Sequence, residues 1–427
     1  MASALARFGD PNRLRATVTT QLFSPHSAQT IRQRVVIIVS HPIQHFCPMY
    51  RSIAADLRVD ILVIFAEGGA EPRFDSGFGR MVTWQNDLLE GFPHTMIRCA
   101  ESQRTNAILR ELRKFNPNVV YVHGYATGYL RQAIRWANQS GIPVLMTTDS
   151  ELRHPRPWHI RLSKQFLLPR ILRKVDLFLT VGDENERYFR HYGITPDRFY
   201  RVPFSIDSPF YDQILTNRAE VRTSLRQRLS IAPEAVVILT VGKMIPRKEH
   251  ACLIRAFATA IKGGDGSAVL VIAGDGPLRP HLEELAKPLG GAVRLPGFVA
   301  VEQLPEYYSI ADIYVHPSSN DPHPLAISEA LYCGLPAIVS DRVGSTGATD
   351  DVQIGRNGWV FPNGDEDQLS QILVSLIDHP ELRAQASRHS RELGLLHSAE
   401  YCASRFIEGA ILAVARRAVR GVNANQQ

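Results

Sequence analysis

The sequence is poor in cysteine. Its five cysteines, Cys47, Cys99, Cys252, Cys333 and Cys402, lie far apart, and no C-x-x-C pair occurs. That spacing argues against a disulfide framework and against a zinc site. Long apolar runs are missing too: none reaches the length of about 20 residues that crosses a bilayer. The N-terminus has no apolar block of the signal-peptide kind, so the expectation is a protein made and kept in the cytoplasm. No zinc-finger, RNP-like or arginine-rich recognition pattern appears, which sets nucleic acid aside as a partner. The net charge of +6 then points to a partner bearing phosphate in some other form.

What is present is a chain of 427 residues, 44% hydrophobic and 21% charged, enough for two domains with separate cores. Residues 1–33 hold several Arg, Ser and Thr, one acid (Asp10) and no periodicity. They read as a flexible tail, with an organelle-targeting segment as the alternative. From residue 34 onward, short runs rich in Val, Ile and Leu alternate with helical stretches. Runs without polar alternation suit parallel strands buried on both faces, and their alternation with helices predicts an α/β, doubly wound architecture. The pattern breaks between about residues 204 and 222. The expected division is an N-terminal domain over 34–210, a second over 211–395, and a C-terminal helix in 396–427 whose apolar stripe packs back across both.

Open parallel sheets bind ligands at the carboxyl ends of their strands. In the first domain those positions hold His41, Gln44 and His45 after the first strand, His123 after another, and Asp149 after the strand at 143–147. They are acceptor-side candidates; a helix cap among the first three and a hydrogen-bonded structural role for His123 are the alternatives. A long loop over 67–93, with Trp84, reads as functional or mobile. Residues 153–174 contain seven Arg or Lys and no acid, interleaved with Trp158 and Phe166. Such a helix suits peripheral contact with an anionic membrane, or packs its leucines into the domain and leaves its charges in water.

In the second domain Lys243, Arg247 and Lys248 follow a strand just ahead of a helix. That is a plausible diphosphate clamp, or plain surface charge. Gly274-Asp275-Gly276-Pro277 allows close backbone approach to a ligand, or forms only a turn. Residues 316–341 read as the core of a βαβ unit: a strand end, a polar loop with three prolines, a helix opening near Leu325, then Gly334-Leu335-Pro336 and a second strand. Asp321 and Glu329 stand eight residues apart at that helix entrance, as acceptors for sugar hydroxyls or as caps.

Together these residues resemble the retaining GT-B glycosyltransferases of the group 1, family 4 type, which include the sucrose-phosphate synthase, trehalose synthase and bacterial mannosyltransferase groups. The resemblance rests on Val241-Gly242-Lys243 with Lys248, Ala273-Gly274-Asp275-Gly276-Pro277-Leu278, Leu295-Pro296-Gly297-Phe298, Ala311-Asp312 with His316-Pro317-Ser318, Glu329-Ala330 with Gly334-Leu335-Pro336, and Asn357-Gly358. The N-terminal half matches more loosely, through residues 40–46 and Asp149-Ser150. The resemblance implies two Rossmann-like doubly wound domains facing a cleft. It implies a hexosyltransferase that moves a sugar, with retained configuration, from a nucleotide diphosphate sugar to a sugar, glycolipid or polysaccharide acceptor, with no cofactor and no metal. The alternative is a GT-B protein with epimerase activity or without turnover. In the family an E-x7-E motif holds the donor; here Asp321 stands at the first position, beside the transferred sugar, and Glu329 at the second, on the ribose. Lys248 matches the diphosphate lysine and Lys243 replaces the usual Arg, while Gly274 and Leu325 become donor contacts and His123 the catalytic histidine. Asp321 is one methylene shorter than Glu, Lys243 is a point charge where Arg is a planar fork, and His41-Pro42-Ile43 replaces a glycine-rich loop.

Overall fold

Val35, Val36, Ile37, Ile38 and Val39 are all buried, and alternate residues enter different cores. Val35, Ile37 and Val39 pack with the helix Cys47–Ala54, while Val36 and Ile38 pack with the helices Glu101–Phe115 and Gly128–Gln139. A strand with helices on both sides has no use for a polar face, hence its uninterrupted apolar run. The structure, a computed structural model, describes residues 32–67, 73–75, 80–82, 88–154, 157–261 and 267–424. Residues 1–31 and much of the 67–93 loop, Trp84 included, lie outside the described residues.

The strands of the first half are β1 (Gln33–Val39), β2 (Val59–Phe65), β3 (Arg73–Asp75), β4 (Arg80–Val82), β5 (His94–Met96), β6 (Val119–His123), β7 (Val144–Thr147), β8 (Leu177–Thr180) and β9 (Phe199–Arg201). Among the described residues they form a seven-stranded sheet in the order β5-β2-β1-β6-β7-β8-β9, with β3 and β4 as a separate antiparallel ribbon. The second half supplies β10 (Val236–Val241), β11 (Ala268–Ala273), β12 (Val293–Gly297), β13 (Ile313–His316), β14 (Ala337–Ser340) and β15 (Gly358–Phe361). Their order is β12-β11-β10-β13-β14-β15, and every pair in both large sheets is parallel. Each sheet therefore reverses direction once, between β1 and β6 in the first and between β10 and β13 in the second. These are the switch points at which open α/β sheets leave a crevice. Both sheets are Rossmann-like, and the fold is GT-B.

The last strand of the first sheet ends at Arg201, just ahead of the break in the pattern. Val202 still donates its N–H to Thr180 O at 2.9 Å. Among the described residues no later N–H bonds β8, and the chain leaves the sheet. The chain then crosses to the second sheet and returns beside this crossing: Ile206 N–H bonds His397 O at 2.9 Å, and the His397 Nδ1 bonds Phe204 O at 2.8 Å. Beyond His397 the helix Ala399–Ala424 runs onto the first sheet, where Cys402, Ala403, Phe406, Ile407, Ala410 and Ala413 join the β1 core.

Side chains lock the two halves together. Asp183 accepts from the Thr349 N–H at 2.9 Å, from the Thr349 hydroxyl at 2.6 Å and from Arg201 at 2.8 Å, and its own N–H bonds the Asp350 carboxylate at 2.5 Å. The backbones meet through glycine: a Cβ on Gly182 would stand 2.5 Å from Asp350 Oδ2, and one on Gly347 would stand 2.2 Å from Asp183 Oδ2.

The same close approach shapes the edge of the second sheet. A Cβ on Gly274 would lie 1.9 Å from the carbonyl oxygen of Gly242, which opens the loop carrying Lys243 and Lys248. The glycine thus meets neighbouring backbone, where a ligand approach is the sequence reading. Because a carbonyl cannot rotate aside as a side chain can, Gly274→Ala should cost about 1–3 kcal/mol. Chemical denaturation of the variant checks this; an unchanged midpoint would show that the loop yields without loss.

Candidate active site

The two switch points face one cavity of about 580 Å³. From the first sheet come Ile43, His45 and Phe46 after β1, His123 and Gly124 at the end of β6, and Thr147, Thr148 and Asp149 at the end of β7. From the second come Val241 to Lys243, Arg247 and Lys248 at and after the end of β10, and His316, Asp321, His323 and Leu325 at and after the end of β13. Residues about 280 positions apart in the chain meet because each lies at or just beyond the carboxyl end of a strand, and those ends in both sheets border the cavity.

Asp321 is the centre of the second-sheet side. Its Oδ2 receives the Lys248 ammonium at 2.5 Å and the His316 Nε2 at 3.0 Å. Tyr314 stands 3.1 Å from the other ring nitrogen of His316. Burial and the Lys248 charge lower the His316 pKa, so the imidazole is neutral; with Nε2–H donating to the carboxylate, Nδ1 accepts from the Tyr314 hydroxyl. Burial would raise the Asp321 carboxyl, but His316 and Lys248 outweigh it and hold the group well below the usual carboxylate range. Among the described residues no hydrogen bond reaches Asp321 Oδ1. The surrounding loops are laced by backbone: Ser319 N–H and the Ser318 hydroxyl both bond Arg247 O at 2.8 Å, and Arg247 Nη1 bonds Asn320 O at 2.9 Å.

The first-sheet side is aromatic and buried. The Tyr50 hydroxyl and His123 Nε2 are 3.0 Å apart, and the His123 ring packs edge-on against Phe46. Burial, reinforced by His45, lowers His123 to about 3; burial, reinforced by His323, lowers His45 to about 4. Both rings are neutral near pH 7. The Nε2 atoms of His45 and of His323 are buried without a hydrogen-bond partner, while His323 Nδ1 is held by Ser345 at 3.0 Å.

Eight of the residues singled out from the sequence therefore border one space: His45, His123, Asp149, Lys243, Arg247, Lys248, Asp321 and Leu325. Four do not border it. His41 is exposed beside Ser40, Gln44 sits in a short turn ahead of Phe46, and Gly274 faces Gly242. Glu329 lies behind the wall at 7% exposure, its Oε2 accepting from the Tyr308 hydroxyl at 2.7 Å. The sequence reading gave no role to His316, His323 or Phe204. His316 and His323 flank Asp321 within seven residues, which was the signal available; Phe204 enters only through the crossing between the halves.

His323, Asp350 and Asp351 place donor atoms within 4.8 Å of one another, the arrangement a cation would need. Their oxygens are engaged already. Asp350 accepts from the Asp183 and Asp351 N–H groups, and Asp351 from His397 at 2.8 Å and Ser328 at 3.2 Å. The cluster fits a hydrogen-bonded junction between the halves better than a ligand shell.

Comparison with known proteins agrees with this geometry. The family model described as glycosyl transferases group 1 matches residues 221–393, and that described as glycosyltransferase family 4 matches residues 54–210. The chain is 27% identical to the D-inositol 3-phosphate glycosyltransferase of Rhodococcus opacus (strain B4) over 318 residues, 69% of this chain and 68% of the relative. It is 27% identical over 303 residues to the alpha-monoglucosyldiacylglycerol synthase of Acholeplasma laidlawii, 66% of this chain and 72% of the relative. Among solved structures, Anabaena HepE in complex with UDP superposes with a TM-score of 0.68 at 17% identity, over 88% of this chain and 98% of that one. The two family models and the relatives make the chain a glycosyltransferase, on the GT-B fold. More narrowly, residues 221–393 are a group 1 glycosyltransferase domain, and residues 54–210 match the family 4 domain that precedes it.

Glu329 generates a prediction independent of any ligand. Burial pushes its carboxyl up to about 7, against the opposing Tyr308 hydrogen bond, from an ordinary 4.5. The folded protein keeps the proton where the unfolded chain has released it, so this group's contribution to stability falls as pH rises from 4.5 to 7, by on the order of 3 kcal/mol. Glu329→Gln should remove that part of the decline and be the more stable form above pH 7. Thermal midpoints of both proteins from pH 4.5 to 8 check it; parallel curves would contradict it.

Proposed function

We propose that the cavity binds a nucleotide diphosphate sugar and transfers its sugar, with retained anomeric configuration, to an acceptor hydroxyl. The observation that carries this is the ionised Asp321 fixed between Lys248 and His316 at the second switch point, opposite His123 at the first. In this reading Lys248, Lys243, Arg247 and backbone at the start of the helix Leu325–Tyr332 face the diphosphate, whose negative charge grows as the glycosidic bond breaks. Asp321 Oδ1 takes a hydroxyl of the transferred sugar. Glu329, bonded to Tyr308 behind the wall, is assigned the ribose by the resemblance alone.

His123 contributes as a neutral imidazole beside the transferred sugar, since burial keeps it uncharged. The unpartnered Nε2 of His45 suits a hydroxyl group of a sugar-like ligand, whereas His323 Nε2 faces Asp351 Oδ2 at 3.5 Å. Support for a nucleotide donor comes from the HepE structure, which holds UDP in the same fold. Support for a glycolipid or polysaccharide product comes from the relatives, one of which is a monoglucosyldiacylglycerol synthase. Lysines in the place of a bound cation make a metal unnecessary for leaving-group stabilisation in this scheme.

The test is a panel of nucleotide sugars, with the anomer of released or transferred sugar read by proton NMR at early time. The account expects the donor's own configuration in the product. It expects Asp321→Asn to lower kcat/KM by about 100-fold or more, because Lys248 loses its fixed partner as well as the sugar losing a carboxylate. Inverted product overturns retention; unchanged turnover in the variant overturns the role of Asp321.

A further inference from the structure

The helix Trp158–Leu172 presents to solvent what other surface helices bury. Leu168 and Leu172 pack into the first domain, and Lys164 lies over the Tyr188 ring at 5.6 Å. Toward solvent stand Trp158 at 75% exposure, Leu162 at 52% and Phe166 at 60%, with Leu167 at 60% and Ile160 at 37% elsewhere around the helix. Positions 158, 162 and 166 repeat at i, i+4 and i+8, so these three side chains form one stripe along the helix. Arg161, Arg170, Arg173 and Lys174 are exposed around and beyond the stripe. From residue 152 to residue 175 there is no Asp or Glu. An ordinary solvated helix mixes both signs of charge; this one has large apolar groups bounded by charge of a single sign.

We propose that this helix docks the protein on an anionic lipid surface, lying in the interface with Trp158, Leu162 and Phe166 among the acyl chains and the basic side chains among the headgroups. Charge complementarity selects the occupant: a protein partner needs matched acids at fixed places, whereas an anionic bilayer supplies negative charge wherever the arginines fall. With 15 residues the helix is too short to cross a bilayer, and among the described residues no helix is long and apolar enough to do so. Its place in the fold gives the docking a purpose. The segment leading into it starts at Asp149 on the cavity wall and touches the second domain, through Arg153 to Asp341 O at 2.6 Å and His154 to Ser319 O at 3.3 Å. The lipid surface would therefore meet the protein beside the mouth of the cleft. The docking does not depend on which sugar is moved or whether one is.

The experiment is co-sedimentation of the full-length protein with vesicles of phosphatidylcholine alone and of phosphatidylcholine with phosphatidylglycerol, at low and high salt. The wild type should partition onto the anionic vesicles at least tenfold more strongly, and salt should weaken the binding. Trp158→Ser with Phe166→Ser should lose at least tenfold in partitioning. Arg170→Gln, Arg173→Gln and Lys174→Gln together should lower both the partitioning and its salt dependence. All these side chains are exposed, and an unchanged thermal midpoint shows that each variant folds. Equal binding to both vesicle types, or variants that bind like the wild type, overturns the proposal. So does a dimer on gel filtration that the Trp158 and Phe166 changes abolish, because a second copy would then cover the face.

Discussion

The contact between Lys248 and Asp321 fixes more of this molecule than its size suggests. It joins the loop after β10 to the loop after β13, the two strands that flank the second sheet's switch point. Both partners are largely buried, so each charge has given up water and needs the other, and His316 supplies the remaining hydrogen bond. The result is a carboxylate held ionised in a polar crevice before any ligand arrives. In the proposed reading a diphosphate entering there meets a negative charge as well as a positive one, and Lys243 and Arg247 at the same wall add the cations that offset it. Preorganised charge of this kind requires no rearrangement at the moment of reaction.

The second constraint lies where the halves meet. Asp350 and Asp351 are adjacent, buried acids. Burial and the neighbouring charge push the Asp350 carboxyl up, so it keeps its proton. Burial also opposes ionisation of Asp351, but His397 and His323 overcome it and hold that carboxyl down, while Asp351 in turn raises His397. One acid neutral and one ionised against an imidazolium gives a junction with little net charge, which suits a buried site. His397 also holds Phe204 O, so the cluster grips both crossings of the chain, and His323 carries its influence to the cavity wall.

Much of this was legible in the sequence, for a physical reason. Strands covered on both faces leave uninterrupted β-branched runs, and polar residues placed directly after them, such as His123 and Lys243, stand out by contrast. Contacts made by backbone or across long separations leave no such mark. Gly274 reads as a ligand turn because the Gly242 carbonyl it faces is invisible in a linear pattern. The orientation of Glu329 depends on Tyr308, which lies on a different helix. The even apolar distribution of residues 158–172 gave no hint of which leucines were buried.

The central claim is that the wall formed by Lys243, Lys248 and Asp321 is a nucleoside diphosphate site. Calorimetric titration of UDP, GDP and ADP into the wild type and into Lys243→Ala measures it without requiring the right acceptor. The account predicts that at least one of the three binds with a Kd in the micromolar range, and that the variant binds it at least tenfold more weakly, as loss of a charge-assisted phosphate contact implies. No binding by any of the three, or equal affinity in the two proteins, would contradict it.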